Sequence, residues 1–232
     1  MSSLRVRYQT IEFGDVDIHV RTLRDRQQFQ DTGGIAEKLG ISSATWPLFG
    51  IIWTSGEVLA HLMIDYHIAG KRILEVGCGI GLASLVLNHR QADITATDYH
   101  PEAEAFLRQN SRLNEGRAIP FTRAGWADAD CGLGEFDLLI GSDLLYERES
   151  VELLAGFIDR HANPACEVIL IDPGRGNHAK FSKNMVSRGY THTQAKAQNL
   201  HLLSQPFKGR VLRYTRQAAI AGASDAPDIR LQ

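Results

Sequence analysis

Carboxylates, glycines and aromatic residues stand at regular places in the middle of this chain, where together they could bind a nucleotide-type cofactor. The clearest run is R-I-L-E-V-G-C-G-I-G-L at residues 72–82, in which Glu75 ends an apolar stretch and precedes three alternate glycines. Glycines let a ligand approach the backbone closely, and a helix start offers free N–H groups and a positive dipole end. The candidate loop residues are Gly77, Cys78, Gly79 and Gly81.

The spacing of these glycines narrows the class of cofactor. The dinucleotide fingerprint is G-x-G-x-x-G, whereas here the third glycine comes one residue early and Leu82 stands in its place. Asp98 ends the run I-T-A-T-D and follows Gly77 by 98 − 77 = 21 residues, where a second strand can deliver a carboxylate to ribose hydroxyls. The pattern favours a nucleotide-type cofactor other than a dinucleotide; the alternative is a tight turn without a ligand.

The elements before the glycine turn form an N-terminal extension and one helix. Alternating apolar residues in 4–8 and 16–20 indicate a β-hairpin outside the main sheet, and the polar residues 30–45 indicate a loop. The run 46–63 ends in a helix that Thr54 or Ser55 can cap. The aromatic residues ahead of this helix are open to core packing or a ligand-facing role: Trp46, Phe49 and Trp53.

From the glycine turn onward, helices and strands alternate. The sequence predicts helices over about 82–90, 101–113, 149–160 and 177–188, and strands over 93–98, 119–124, 136–141, 167–171, 191–196 and 210–215. This alternation implies a parallel, doubly wound α/β sheet with right-handed crossovers, whose ligands bind at the carboxyl ends of the strands. The tail, residues 217–232, is expected to be disordered.

Polar or aromatic residues follow each of the five strands from the glycine turn to residue 171. Because the carboxyl ends of parallel strands meet at one edge of a sheet, these residues are expected to share one site. In chain order they are Glu75 with the glycines, Asp98 with Tyr99, Trp126, the run Ser142-Asp143-Leu144-Leu145-Tyr146, and the run Asp172-Pro173-Gly174-Arg175.

Size, charge and cysteine content limit the class of protein. The 232 residues suit one α/β domain with additions, and 25 basic against 27 acidic residues give no reason to expect nucleic acid or a membrane as partner. The three cysteines and nine histidines show no metal-ligand spacing, so we expect no metal site. Since the N-terminus lacks the apolar core of a signal peptide, we expect a cytoplasmic protein. Its oligomeric state is left open.

Several of these motifs together resemble one family. The chain resembles the seven-strand (class I) S-adenosylmethionine (AdoMet)-dependent protein-lysine methyltransferases. The resemblance lies in G-x-x-W at residues 50–53, the following S-G-x-x-L-A, the motif E-V-G-C-G-I-G, Trp126 and D-L-L-Y at 143–146. Within that family, W-P-L-F-G-I-I-W-T-S-G and I-D-P-G-R are similar to the electron-transfer-flavoprotein β-subunit lysine methyltransferases and their bacterial relatives. The resemblance covers roughly residues 46–190 and implies a Rossmann-like, seven-stranded, mostly parallel sheet. The methyltransferase domain would then span residues 46–216, after an extension of residues 1–45.

The resemblance also implies a role for each matching position. AdoMet, with S-adenosylhomocysteine as product, would be lined by Trp53, Glu75, Gly77, Cys78, Gly79, Gly81, Asp98, Tyr99, Trp126 and Ser142. Asp143 and Tyr146 of D-x-x-Y would face the acceptor amine. The chain departs from the family at Ala127, where many relatives have glycine, and its N-terminal hairpin is more similar to other members of the wider family.

Three functions remain open at this point. A protein-lysine methyltransferase is the first; a small-molecule N- or O-methyltransferase of the same fold is the second; a non-catalytic AdoMet-binding module is the third. The absence of a long insertion after the fourth or fifth strand favours a large acceptor, hence a protein substrate. Asp143 could instead cap the next helix, and the run 172–175 could be a plain turn.

Overall fold

The computed structural model describes residues 4–218, in which an N-terminal hairpin stands apart from a large sheet. The hairpin consists of β1 (Val6–Phe13) and β2 (Val16–Leu23), paired antiparallel. It lies on α4 (Ala103–Leu113): the backbone N–H of Arg21 donates to Asn110 Oδ1 at 2.7 Å. This confirms the predicted hairpin outside the main sheet.

The segment between the hairpin and the glycine loop holds two short helices that the sequence did not predict, one of them a 3-10 helix over Trp46–Gly50. A short helix, α1 (Ile35–Lys38), lies within the predicted loop 30–45. The carboxylate of Asp31 accepts the backbone N–H groups of Ala36 at 3.0 Å and Glu37 at 2.9 Å, which stabilises the start of this helix. Because Asp31 stands several residues before the helix, the usual capping pattern does not reveal it.

The predicted cap of the next helix is wrong. The helix α2 spans Thr54–Met63 and makes no side-chain cap hydrogen bond, so neither Thr54 nor Ser55 acts as a cap. Trp53 holds the N-cap position in extended backbone, and both hydroxyl residues already lie inside the helix, one position or more too late to cap it.

The large sheet has the predicted fold class: α/β, doubly wound, with seven mostly parallel strands. Its strands are β3 (Arg72–Val76), β4 (Asp93–Asp98), β5 (Phe121–Arg123), β6 (Phe136–Ser142), β7 (Ala162–Asp172), β8 (Thr191–Lys196) and β9 (Arg210–Arg216). Its remaining helices are α3 (Leu82–His89), α5 (Ser150–Arg160) and α6 (His178–Ser187). The spatial order is β5-β4-β3-β6-β7-β9-β8, and β9 runs antiparallel to both of its neighbours.

The strand order fixes where a ligand can bind. The chain runs outward from β3 through β4 to β5 on one side, and then continues from β6 to β7 on the other. The direction in which the chain adds strands therefore reverses between β3 and β6, which are adjacent and parallel. In an open α/β sheet, the crevice at the carboxyl ends of two such strands is the expected ligand site.

Apolar side chains on both faces of the central strands form the core that holds this edge in place. Leu74 and Val76 of β3 and Leu139 of β6 are fully buried, as expected for strands covered by helices on both sides. Trp46 is 1% exposed and packs edge-on against Phe49 with ring centroids 5.4 Å apart. These two aromatic residues therefore belong to the core.

Two sequence expectations concern the ends of the molecule and its surroundings. The predicted disordered tail, 217–232, lies almost entirely outside the described residues. Within residues 4–218, no helix combines the length and the apolar character that crossing a bilayer requires.

Candidate active site

The glycine loop joins β3 to α3 at the carboxyl edge of the sheet. Gly77, Gly79 and Gly81 take φ values of 62°, 55° and 78°, which residues with side chains rarely adopt. A Cβ atom on Gly79 would lie 2.7 Å from the carbonyl oxygen of Phe49, so the position has no room for a side chain. Burial raises the pKa of the Cys78 thiol well above its usual value, which fits a small packing residue better than a reactive thiol.

Glu75 is buried in β3, and its carboxylate is held by Ser84 of α3. The backbone N–H of Ser84 donates to Glu75 Oε2 at 2.9 Å, and the Ser84 hydroxyl donates to the same oxygen. Burial raises the pKa of Glu75 to about 7; the hydrogen bonds from Ser84 oppose this rise and the nearby Asp98 adds to it. Ser84 is absent from the residues predicted for the site, although a hydroxyl in the first turn after the loop is a usable signal.

Asp98, at the end of β4, lies directly against the glycine loop. Its Oδ2 accepts the backbone N–H of Gly79 at 2.8 Å, and its Oδ1 accepts that of His100 at 2.8 Å. Burial raises the pKa of Asp98, and these backbone hydrogen bonds oppose the rise. The carboxylate thus fixes the loop in addition to facing any ligand there.

Trp53 stands at the entrance to α2, partly exposed. Its indole N–H donates to the carbonyl oxygen of Leu48 at 3.0 Å, and the guanidinium of Arg26 lies 5.0 Å from its ring centroid. The ring is therefore held by one hydrogen bond and one cation–π contact, and it has not been drawn into the core with Trp46 and Phe49.

Tyr99 and Trp126 follow β4 and β5, which pair in parallel, at the same edge of the sheet. The Tyr99 hydroxyl donates to the carbonyl oxygen of Leu39 at 3.1 Å. A Cβ atom on Gly125 would lie 3.2 Å from the Tyr99 ring, which places that ring against the residue before Trp126. The Trp126 carbonyl accepts a hydrogen bond from Arg160 at 3.0 Å, so this turn is also tied to α5.

The end of β6 brings Ser142 and Asp143 to the crevice beside β3. Ser142 faces the start of α2, where a Cβ atom on Gly56 would lie 3.6 Å from its hydroxyl. Asp143 takes a φ of 54°, unusual for a residue with a side chain, while its N–H donates to the carbonyl of Ile171 at 2.9 Å. The Asp143 carboxylate accepts two hydrogen bonds from Arg175, at 2.9 and 2.7 Å.

The position of Asp143 rules out the alternative that it caps the next helix. The next helix, α5, begins only at Ser150, with Glu149 before it, so Asp143 is not its cap. The run 172–175 is likewise more than a plain turn, because it carries Arg175 to the Asp143 carboxylate.

Tyr146 lies on the same loop and is 57% exposed. Burial of the phenol, followed by the carboxylates of Glu147, Asp98 and Asp143, raises the pKa of Tyr146 to about 12. The phenol is therefore protonated at neutral pH and can donate a hydrogen bond, but it cannot serve as a general base.

Together these groups suit a particular kind of ligand. Two carboxylates adjoin one glycine loop, Glu75, which is buried, and Asp98, which is partly buried, and they favour hydroxyl donors and positive charge over a phosphate. Oε1 of Glu75 and the remaining lone pairs of Asp98 have no partner within residues 4–218. In the same part of the chain, no group of three His, Cys, Asp or Glu side chains could hold a metal ion.

Comparison with known proteins decides the family. A family model described as lysine methyltransferase matches residues 36–187. The chain belongs to this lysine methyltransferase family. It is 30% identical over 156 residues to the electron transfer flavoprotein beta subunit lysine methyltransferase of Xenopus laevis, covering 66% of this chain and 60% of that protein. It is also 30% identical over 141 residues to the protein N-lysine methyltransferase METTL21A of Danio rerio, covering 56% and 63% respectively.

The chain matches only about three-fifths of the length of these relatives. Solved structures agree on the fold. Magnesium protoporphyrin IX methyltransferase from Synechocystis PCC 6803, crystallised with bound SAM, superposes with a TM-score of 0.55 at 22% identity, covering 71% of this chain and 78% of that one. A methyltransferase from Pyrococcus furiosus gives a TM-score of 0.54 at 18% identity, covering 67% and 80%.

Proposed function

We propose that the chain transfers a methyl group from AdoMet to a lysine side chain of a protein. One observation carries the proposal: Asp143, only 10% exposed at its side chain, follows the carboxyl end of β6, which pairs in parallel with β3, the strand that leads into the glycine loop. Membership of the lysine methyltransferase family and the names of two relatives with 30% identity support the same activity.

The residues around the glycine loop fit AdoMet. AdoMet carries two ribose hydroxyls, an ammonium group and a sulfonium, which match the carboxylates of Glu75 and Asp98, and it has no pyrophosphate. Glu75 and the loop 77–81 would hold its methionine part, and Asp98 would accept the ribose hydroxyls. Trp53, Tyr99, Trp126 and Ser142 would enclose the remainder. When bound, AdoMet supplies an activated methyl group, so neither a metal nor a covalent enzyme intermediate is required.

The protein must then hold the acceptor amine, without its extra proton, in line with the methyl group and the sulfur of AdoMet. Positioning of two reacting groups can supply about 7–11 kcal/mol in favourable cases. Asp143 is the group that orients the amine, and Tyr146, which keeps its own proton, can share a hydrogen bond with it. The proton that the amine releases passes to water at this open edge.

The form of the site supports a protein rather than a small molecule as acceptor. The connection from β6 to α5 occupies residues 143–149, and that from β7 to α6 occupies residues 173–177. Neither is long enough to fold a lid over the crevice, so a side chain on a large partner can reach it. A cytoplasmic location is part of the same proposal, since Cys78, Cys131 and Cys166 carry free thiols, as is usual in a reducing compartment.

The direct test uses AdoMet labelled in its methyl group. The purified chain is incubated with it and with a lysate of cells that lack the enzyme, so that acceptor sites are unmodified. Label in a discrete protein band, most of which is lost when Asp143→Asn replaces the wild type, supports the proposal. Label found only in small molecules would contradict a protein acceptor, and no transfer at all would contradict the activity.

A further inference from the structure

Asp143, the residue that would meet the acceptor amine, already has a cationic partner. Arg175, in the connection between β7 and α6, donates from Nε to Asp143 Oδ1 at 2.9 Å and from Nη2 to Oδ2 at 2.7 Å. Such a two-point pair is stronger and better oriented than a single contact between charges. The Asp143 side chain is 10% exposed and that of Arg175 is 44% exposed, so the pair lies at the mouth of the crevice.

The two connections that carry this pair are also tied to each other. The side-chain amide of Asn177 donates to the carbonyl of Leu145 at 2.9 Å, and Lys180 Nζ donates to the carbonyl of Arg148 at 2.9 Å. Both bonds join the start of α6 to the loop that follows β6. The two connections that carry the pair are thereby held to each other, which sets this pair apart from an ordinary surface ion pair between independent elements.

A carboxylate without such a partner would hinder the proposed reaction. An opposite charge within about 4–6 Å favours the charged form of an amine, and an ammonium has no lone pair with which to accept a methyl group. The other titratable or charged groups near this pair are mostly acidic: Asp172 of β7 acts on Arg175, Glu147 and Asp98 act together with Asp143 on Tyr146 of the same loop, and His178 of α6 lies 3.7 Å from Asp172. From α2 the residue facing Ser142 is Gly56, which is uncharged.

We infer that Arg175 is a positioning residue that neutralises Asp143, so that the carboxylate orients the acceptor amine without holding it as an ammonium. This inference rests on the proposed lysine acceptor. An ionised carboxylate offers about four lone-pair sites, and Arg175 uses two, so Asp143 can still accept an N–H from the amine. The pair as a whole has no net charge, and the bound amine loses its proton more readily than beside a lone carboxylate.

The experiment compares how the rate of methyl transfer depends on pH in single turnovers with saturating enzyme. The acceptor is the lysate protein that takes up label in the experiment above. Arg175→Gln is expected to shift the curve of rate against pH to higher pH by about one unit or more. This is the size of effect that the unpaired negative charge of Asp143 would have on the pKa of the neighbouring amine. Its rate at pH 7.5 should be about tenfold lower than wild type and should approach wild type near pH 10.

Two further variants make the comparison specific. Arg175→Lys keeps the positive charge and should shift the curve less than Arg175→Gln does. Arg148→Gln removes a cation from the exposed part of the same face, without contact to Asp143, and should leave the curve unchanged. AdoMet affinity, measured by calorimetry, should be the same in all four proteins because Arg175 is not among the proposed cofactor residues.

Each other outcome contradicts the inference. A loss of rate that is equal at every pH would make Arg175 a structural residue only. A lower KM with an unchanged pH curve would mean that Arg175 competes with the acceptor for Asp143. A wild-type enzyme that labels no lysate protein would overturn the proposed function and this inference together, whereas a labelled protein with unshifted curves would overturn the inference alone.

Discussion

Ser84 and Glu75 fasten the two sides of the glycine loop to each other. Through its N–H and its hydroxyl, Ser84 at the start of α3 donates two hydrogen bonds to one oxygen of Glu75 in β3. The loop between them has glycine in the left-handed conformation at three alternate positions, 77, 79 and 81, and this contact fixes the strand and the helix that the loop joins. The price is a buried carboxylate, whose pKa is raised to about 7.

The first prediction concerns the stability of the fold. The pKa of Glu75 rises from an ordinary 4.5 to about 7 on folding, so the folded chain binds the proton more tightly than the unfolded chain. Its contribution to the free energy of unfolding is then full below pH 4.5 and is lost as the pH rises to 7, by about 3 kcal/mol. Glu75→Gln keeps an oxygen for Ser84 and has no such loss.

Thermal unfolding at several pH values tests this. The melting temperature of Glu75→Gln relative to wild type should increase between pH 5 and pH 8. Glu135→Gln, at an exposed position, is the matched control and should show a constant difference from wild type. If the difference in melting temperature between Glu75→Gln and wild type does not change with pH, burial does not raise the pKa of this carboxylate.

The second prediction concerns the pH dependence of cofactor binding. If Glu75 holds the cationic methionine part of AdoMet, the ligand favours the ionised carboxylate and binding expels a proton near neutral pH. Affinity measured by calorimetry should therefore fall as the pH drops below about 7, and proton release should be seen in buffers of different ionisation enthalpy. In Glu75→Gln, AdoMet should bind more weakly, and its affinity should not depend on pH in this range. If the pH dependence is the same as in wild type, a group other than Glu75 causes it.

The third prediction concerns Asp98. Asp98→Ala should weaken AdoMet binding by about 1–3 kcal/mol, the usual cost of leaving buried polar groups without partners. Because Asp98 also accepts the N–H groups of Gly79 and His100, the melting temperature should fall as well. NAD serves as the control ligand and should not bind to either protein. Tight NAD binding, or unchanged AdoMet affinity in the variant, would contradict the assignment.

The fourth prediction concerns Asp143. Asp143→Asn should remove most methyl transfer while AdoMet affinity and melting temperature stay close to wild type. Asparagine tolerates the φ of 54° at this position and keeps the shape of the side chain, but it lacks the carboxylate that pairs with Arg175 and orients the amine. Transfer rates, calorimetry and thermal unfolding on the same preparation check this. Joint loss of binding and stability would place Asp143 among the structural residues.

Much of the architecture follows from the sequence because it depends on local pattern. The strands β4 and β8 lie where the apolar pattern places them, and parallel pairing of β3 to β7 brings the polar residues after them to one edge. The short helix α1 escaped detection because its start is stabilised by Asp31 from outside the helix. The cap of α2 was wrong because Trp53, with its own hydrogen bond to Leu48, sets where that helix begins.

The pairing at the candidate site could not be predicted in the same way. Arg175 and Asp143 are 32 residues apart, and their contact depends on how far the loops after β6 and β7 extend beyond the sheet. Sequence pattern places both residues at the same edge but carries no information on which side chains meet there. The roles of the individual cofactor residues stay predictions for the same reason.

The chemical identity of the methylated residue is the most direct test of methyl transfer to lysine. The lysate protein labelled by the wild-type chain is isolated and hydrolysed to amino acids, and the labelled product is compared with methylated standards. We expect label in mono-, di- or trimethyl-lysine, and far less of it when Asp143→Asn replaces the wild type. Label in methyl-arginine, methyl-histidine or a carboxyl ester would contradict it.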